Sequence, residues 1–521
     1  MSIMTTRLFR TTIGTTALLA WSVTAAGQMA SLATAAAEQQ ADEVRSLLAA
    51  GADANTSLAD GSTALLWAAH WNDLEMADQL LTADADVNAA DDHGVTPLVR
   101  AAENASLLMV EKLLAAGANP NSSQVNGLTA LMVASRTGHP EVVKAMLDAG
   151  SDVNASTNEH GATALMWATA EAHEGVVRML IDRGAHANHS TTDGFTPLLF
   201  AAGSGNIQLA ELLLASGVNV NDTGVDGTHA LPYAIINGHH EFALFLLRQG
   251  ADSTATLGTI SALHAAAGNV GTWLGEWSRQ HGFGERFRGK NLTGDQRVSL
   301  VQSLLEHGAD PNVRLLTSAM FMSYIANPRE GAFERFACGT GDLRGATPLW
   351  VAAHSANRDA DGSIEILQLL LSAGANLHLT TDDGTTPLMA AAGLGRSTYT
   401  PAEPRGVKSE TAEQAVALLI ERGANVNAVN EADFTALHGA AFRGNNEIIE
   451  YLVTQGAEID ARDFRGRTPY RIAEGAKQSF QFQPWPETAA FLEELGANVH
   501  LSIPGIARQK LRDVSVEAAD Q

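Results

Sequence analysis

Seventeen histidines and one cysteine, Cys338, are the residues of this 521-residue chain best suited to metal or nucleophilic chemistry. Such chemistry depends on spacing. A zinc protease carries His-Glu-x-x-His on one helix face, a thiolate metal or redox site Cys-x-x-Cys, and a haem attachment Cys-x-x-Cys-His. A phosphate cradle needs a Walker-type glycine loop, and a serine hydrolase needs Gly-x-Ser-x-Gly. None of these patterns occurs. The nearest pairs are His239-His240, at a helix-helix turn, and His186/His189, in a loop, and both read as structural. A nucleophilic Cys338 requires a base and an activating environment that one sequence does not show. The acidic pairs Asp91-Asp92 and Asp382-Asp383 lack the ligand spacing of a calcium loop and read as solvated hairpin tips. The sequence therefore assigns no catalytic residue, no metal and no cofactor.

Composition narrows the partners. Thirty-three Lys+Arg against 58 Asp+Glu give a formal net charge of −25, the wrong sign for a phosphate backbone. The 45% hydrophobic content is enough for a core, while no apolar run reaches the roughly 18 residues of a membrane span. At the N-terminus Arg7 and Arg10 precede a short apolar stretch over 11–23, followed by small residues, which is the pattern of an export signal. Cleavage is expected after Ala25 or Ala26. The later Ala33-Thr34-Ala35 would cut through a helix that caps the fold. The expectation is a periplasmic or secreted protein, and with Cys338 alone it has no internal disulfide.

The elements that position these residues are set by a repeat. Glycines at 61, 94, 127, 161, 194 and 227 open nearly the same text: Gly61-Ser-Thr-Ala-Leu, Gly94-Val-Thr-Pro-Leu, Gly127-Leu-Thr-Ala-Leu, Gly161-Ala-Thr-Ala-Leu, Gly194-Phe-Thr-Pro-Leu and Gly227-Thr-His-Ala-Leu. The pattern returns at Gly345, Gly384, Asp433 and Gly466, with a degenerate copy at Ser261-Ala-Leu-His264. About twenty residues after each comes Leu-Leu-x-x-Gly-Ala-Asp/Asn-x-Asn, as at 113–121, 304–312 and 419–427. Glycine permits positive φ in a tight turn, threonine caps the helix behind it, and proline at the first helical position costs no hydrogen bond. Paired alanines such as Ala68-Ala69 and Ala352-Ala353 keep the first helix thin. Val142, Val143, Met146 and Leu147 make the apolar stripe of a second helix, which a glycine ends.

A turn, two short antiparallel helices and a projecting loop per 33 residues resembles the ankyrin repeat. The resemblance implies an all-α repeat solenoid of about twelve repeats. Residues 27–256 form an acidic arm of seven, and 257–502 hold repeats eight to twelve, with a polar tail over 503–521. Insertions fall near 270–296, 314–344, 397–410 and 475–486. The text from Thr386-Pro-Leu-Met through Thr435-Ala-Leu-His-Gly-Ala-Ala441 to Pro486-Glu-Thr-Ala-Ala490 is similar to a set of exported bacterial ankyrin-repeat proteins, which brings no activity with it. The family's histidine after Thr-Pro-Leu survives only as His264 and His438.

In that family the residues flanking the turn glycine and those ending the first helix face a concave groove. Carried onto this chain they are Asp60, His70, Trp71, Asp92, His93, Glu103, Asn104, Asn126, Arg136, His160, Glu171, Asp193, Phe195 and Asp226. Trp71 stands out because exposed tryptophan is enriched where proteins grip one another. Trp67, Trp167, Phe200 and Tyr233, one step into the helix, are expected in the core. Residues 38–250 hold 8 Lys+Arg against 26 Asp+Glu, an acidic surface suited to a basic partner.

The leading expectation is a monomeric, non-enzymatic scaffold that holds a basic protein partner in this groove. An insert lobe with Trp277, Phe283, Phe287 and Arg288 is a second partner or ligand surface. The alternative is a small-molecule or catalytic site in that lobe, lined by Trp277, Phe287, Arg288 or Cys338. A purely structural, self-associating role is the third reading.

Overall fold

The computed structural model describes residues 31–270, 274, 277, 278, 281, 292–316, 343–358, 360–394, 409–475 and 484–501. They form two compact units, one up to Gly227 and one from Thr228. Each is an all-α repeat stack in which two short helices make one repeat.

The capping rules act repeat by repeat. Thr63 Oγ1 accepts the amide of Leu66 at 3.3 Å, and Thr96, Thr129, Thr163 and Thr196 do the same for Val99, Met132, Met166 and Leu199. Proline opens the helices Pro97–Glu103, Pro197–Ser204, Pro348–Ala356, Pro387–Ala391 and Pro469–Glu474. Gly127 has φ +82°, and a Cβ there would lie 2.8 Å from the Asn158 amide of the next repeat. Asp433 takes the same place in a later repeat with φ +57°. Aspartate is one of the few side chains that visits this region routinely.

Six helix pairs lie in the first unit. They start with Leu32–Ala37 and Ala41–Ala49 and end with Pro197–Ser204 and Ile207–Ala215. The first helices of neighbouring repeats pack on one another, as do the second. Ala68, Ala69, Ala101 and Ala102 are completely buried along this contact. A larger side chain there would overpack the stack. Six further pairs make the second unit, from Ala230–Ile236 and His240–Arg248 to Pro469–Glu474 and Pro486–Glu494. One antiparallel hairpin among the described residues, Thr256–Leu257 with Ile260–Ser261, lies in it with Leu257 and Ile260 buried.

Where the Gly-Ala-Asp/Asn-x-Asn signature keeps its last asparagine, as at Asn55, Asn88, Asn121, Asn154, Asn312 and Asn427, that residue joins its repeat to the next. Asn121 Nδ2 donates to Gly150 O at 3.0 Å, and its Oδ1 accepts the Asp152 amide at 2.7 Å. Asn88 makes the same pair with Gly117 and Asn119, and Asn154 with Gly184 and His186. In the second unit Asn312 reaches Gly374 O at 3.1 Å and the Asn376 amide at 2.7 Å, across about sixty residues of sequence.

That bridge explains how the insertions are carried. Leu315 and Ala346 exchange a hydrogen bond of 2.9 Å, so the chain leaves and re-enters the stack at one point. Within the eighth repeat the first helix ends at Ala267 and the second starts at Gly294, which puts residues 294–296 in a helix and not in the insertion. The insertions near 397–410 and 475–486 likewise fall between the two helices of one repeat. Most residues of all four insertions, the export signal and the tail over 503–521 lie outside the described residues.

Replacing Asn121 by alanine removes both inter-repeat bonds and is expected to lower stability by about 1–2 kcal/mol, read by urea unfolding. Asn121→Asp, which keeps the acceptor, should lose roughly half of that. An unchanged midpoint for both variants would show that the bridge adds nothing.

Candidate functional site

Two rows of residues in the first unit carry the candidate site. The outer row consists of the turn tips, tied together by backbone hydrogen bonds. The Asp92 amide donates to Asp60 O at 2.9 Å, Val125 to His93 O at 3.0 Å, Asn158 to Asn126 O at 2.9 Å and Thr192 to His160 O at 3.0 Å. The tips therefore present side chains at fixed spacing on a frame of paired backbone.

Several tip side chains also lock their own turn. Asp60 Oδ1 accepts the Ser62 hydroxyl at 2.6 Å and the Ser62 amide at 3.0 Å. Partial burial pushes the Asp60 carboxyl up, but the Ser62 hydrogen bonds outweigh this and hold its pKa below the usual carboxylate value. Asn126 Oδ1 accepts the Leu128 amide at 3.0 Å. Asp92, His93 and Asp226 are exposed. His160 is half-buried, with Nδ1 3.5 Å from Asp193 Oδ2 and Nε2 3.9 Å from Glu159 Oε2.

The inner row consists of the ends of the first helices. Trp71 is 39% exposed and closes the helix Ala64–His70. Its ring stacks on Trp67 at 6.0 Å and 24°, and His70 meets it edge-on at 4.5 Å. Burial, reinforced by Arg100, holds the His70 imidazole below its ordinary pKa despite Glu103. Asn104 Nδ2 donates to Ala69 O and His70 O, pinning the third repeat's helix end on the second's. Glu103 pairs with Arg100 at 2.8 Å, and Arg100 also lies 3.9 Å from Asp91. The Arg136 guanidinium sits 5.4 Å from the centre of the Trp167 ring, and Glu171 is exposed.

Phe195 is a correction: it is 2% exposed and packs 5.7 Å from Phe200. Its amide donates to Thr191 Oγ1 and its carbonyl accepts the Thr191 amide, both at 2.9 Å, so the closed hairpin turns the ring into the core. Trp277 is a second correction. It is 5% exposed, its Nε1 donates to Thr228 Oγ1 at 2.9 Å, and its ring packs on Tyr233 and His281. Phe283, Phe287, Arg288 and Cys338 lie outside the described residues. Of the four aromatics expected in the core, Trp167 and Tyr233 are buried, while Trp67 and Phe200 are half-buried. Trp67 is therefore a face residue that its place inside a helix concealed. Its i,i+4 spacing to Trp71 was the available signal.

Among the described residues, no group of three His, Cys, Asp or Glu side chains is placed to hold a metal ion. The acidic pairs serve turns and bridges. Asp91 Oδ1 accepts the amides of His93 and Val95, Asp383 is buried against the Thr385 amide, and Asp382 pairs with Arg314 at 2.9 Å. His189 Nε2 lies 3.1 Å from Gly161 O. Nor is any helix among these residues long and apolar enough to cross a membrane.

His264 and His438 are fully buried connectors. His264 Nδ1 accepts from Ser261 Oγ at 2.8 Å, and Nε2 donates to Ala346 O at 3.0 Å. His438 Nδ1 accepts the Thr435 amide at 3.1 Å, and Nε2 donates to Arg467 O at 3.3 Å. Each thereby links a helix start to the following repeat as a neutral imidazole. Burial pushes both down to about 4.

Family models for ankyrin repeats match residues 32–256 in three overlapping blocks, 344–431 in two and 419–473 in one. The transient receptor potential cation channel subfamily A member 1 homolog of Caenorhabditis elegans is 28% identical over 194 residues, which are 34% of this chain and 13% of that protein. The ankyrin repeat and KH domain-containing protein 1 of Homo sapiens is 34% identical over 110 residues, 21% of this chain and 4% of that protein. The crystal structure of the human ASB11 ankyrin repeat domain aligns with 42% of this chain and 96% of its own, at 26% identity and a TM-score of 0.38. The chain thus spans only a small part of these curated relatives.

The two depressed histidines set a pH dependence. The unfolded chain takes up protons near pH 6.5 and the folded one near 4, so their contribution is complete above 6.5 and is lost as pH falls toward 4. The loss is on the order of 3 kcal/mol for each histidine. A double His264→Gln, His438→Gln variant should show a flatter fall in unfolding free energy between pH 7 and 4. A wild-type slope in that variant would refute the assignment.

Proposed function

The chain belongs to the ankyrin-repeat family, and from that premise we propose that it is a non-enzymatic scaffold holding a basic protein partner against the first unit's turn tips and helix ends. Ankyrin repeats generally mediate protein–protein interaction, and an extended stack offers repeated shallow surface in place of a deep reaction pocket. The observation that carries the charge of the partner is the composition of the two rows. Asp60, Asp92, Glu103, Glu159, Glu171, Asp193 and Asp226 stand on them with Arg100 and Arg136. Arg100 is paired with Glu103, and Arg136 lies over Trp167, so the carboxylates set the sign of the field.

The proposal includes export, with cleavage after Ala25 or Ala26. Support for the early cut comes from the helix Leu32–Ala37, which Ser31 caps and in which Leu32, Ala33, Ala35 and Ala36 are buried. Cleavage after Ala35 would strip away most of that helix and uncover the next repeat.

Reversing one exposed charge, Asp92, and one half-buried charge, Glu103, tests the partner reading. Asp92→Lys with Glu103→Lys is expected to cut capture of basic proteins from the exported fraction at least tenfold and to reduce its salt sensitivity, with only the small fall in melting temperature that losing the Arg100–Glu103 pair brings. Capture equal to wild type would rule out this face.

The N-terminus tests the export reading. Sequencing of protein recovered outside the cytoplasm should begin at residue 26 or 27. Chain retained in the cytoplasm with its first residues intact, or beginning at 36, would overturn it.

A further inference from the structure

The first unit concentrates its aromatic and acidic surface in one place. Trp71 is one of two aromatic side chains exposed among the described residues, the other being Phe464 of the second unit. Trp71 lies nearly parallel to Trp67, with the ring centres 6.0 Å apart. The polar edge of Trp67 is already satisfied, because Nε1 donates to Ser62 Oγ at 3.1 Å and that hydroxyl donates to Asp60 at 2.6 Å. What Trp67 leaves to a ligand is ring face, not a hydrogen-bonding edge.

Among the described residues, the carboxylates of Asp60, Asp91 and Glu103 outnumber the one cation near this surface, Arg100, which also acts on His70. Asp60 is joined to Trp67 through Ser62, and its Ser62 hydrogen bonds keep its carboxylate ionised. Glu103 comes close enough to His70 to act on its charge, and Asn104, the next residue, is bonded to His70 O at 2.7 Å. The cation nearby, Arg100, is spent on Glu103 and Asp91. His70 covers one side of Trp71 edge-on, with its imidazole held below its ordinary pKa, and among the described residues no Arg or Lys lies over the indole. A tryptophan face attracts a cation through its quadrupole, and a planar guanidinium stacks there better than a compact, strongly hydrated ammonium.

We propose that the Trp67–Trp71 pair is the docking point for an arginine side chain of the partner, its guanidinium stacked on Trp71 with the carboxylates of Asp60 and Glu103 close by. This rests on the basic-partner reading above and adds the residue type that the partner must present. Lysine at the same place would gain the charge attraction and lose most of the stacking.

Direct titration of the full chain with three synthetic twelve-residue peptides, alternating serine with arginine, lysine or glutamate, tests it by fluorescence anisotropy. The arginine peptide is expected to bind the wild type several-fold more tightly than the lysine peptide, and the glutamate peptide should not bind. Trp71→Ala should weaken arginine-peptide binding by about three- to thirtyfold and remove the preference over lysine. Trp71→Phe should restore part of it. Thermal melting of both variants checks that the exposed position leaves the fold intact. Equal binding of the arginine and lysine peptides by the wild type, or an undiminished preference in Trp71→Ala, overturns the docking point. If Asp92→Lys with Glu103→Lys still abolishes binding in that event, the acidic-face reading stands without it. If no basic peptide binds the wild type, both readings fall.

Discussion

Each repeat of this protein is two helices too short to hold together alone. Isolated helices of seven to nine residues are unstable in water, and their stability comes from packing an apolar face against something else. Here that something is the next copy of the same pair. The close approach of first helices through Ala68, Ala69, Ala101 and Ala102 is therefore the contact on which every other feature depends. Around it the asparagine bridges and the backbone bonds between turn tips fix the spacing from repeat to repeat.

Nearest-neighbour stability has a consequence for the insertions. A stack that depends only on adjacent repeats tolerates extra chain wherever both ends of the insertion return to the same place. Asn312 reaching Gly374 and Leu315 meeting Ala346 show the ninth repeat seated on the eighth despite the long insertion between them. The buried histidines work in the same sense. His264 and His438 each occupy a helix start and reach a carbonyl of the following repeat, so they tie neighbours from within the core.

The same frame presents the face proposed to hold a partner. Turn tips held by paired backbone cannot fold away, and side chains not needed for capping or bridging are left to solvent. Asp60 and Asn126 do both jobs, locking a turn with one oxygen while standing on the outer row. Trp71 closes its helix and is left partly exposed with its ring against Trp67. On the proposed function, recognition at this surface runs by charge and by a few aromatic anchors rather than by enclosure.

The sequence by itself determined the repeat, the helix starts and the turn positions, because capping, positive φ and alanine pairing are local demands that each residue type answers alone. It also determined the acidic sign of the first unit, which needs only counting. Which flank residues face solvent was not local. Phe195 and Trp71 follow comparable positional rules, yet the hairpin bond to Thr191 turns Phe195 into the core while Trp71 is left at the surface. Trp67 read as core and emerged half-buried, and Trp277 read as ligand surface and is buried on Tyr233. Those outcomes belong to the tertiary structure, since burial is decided by what an adjacent repeat or a returning loop places over a side chain.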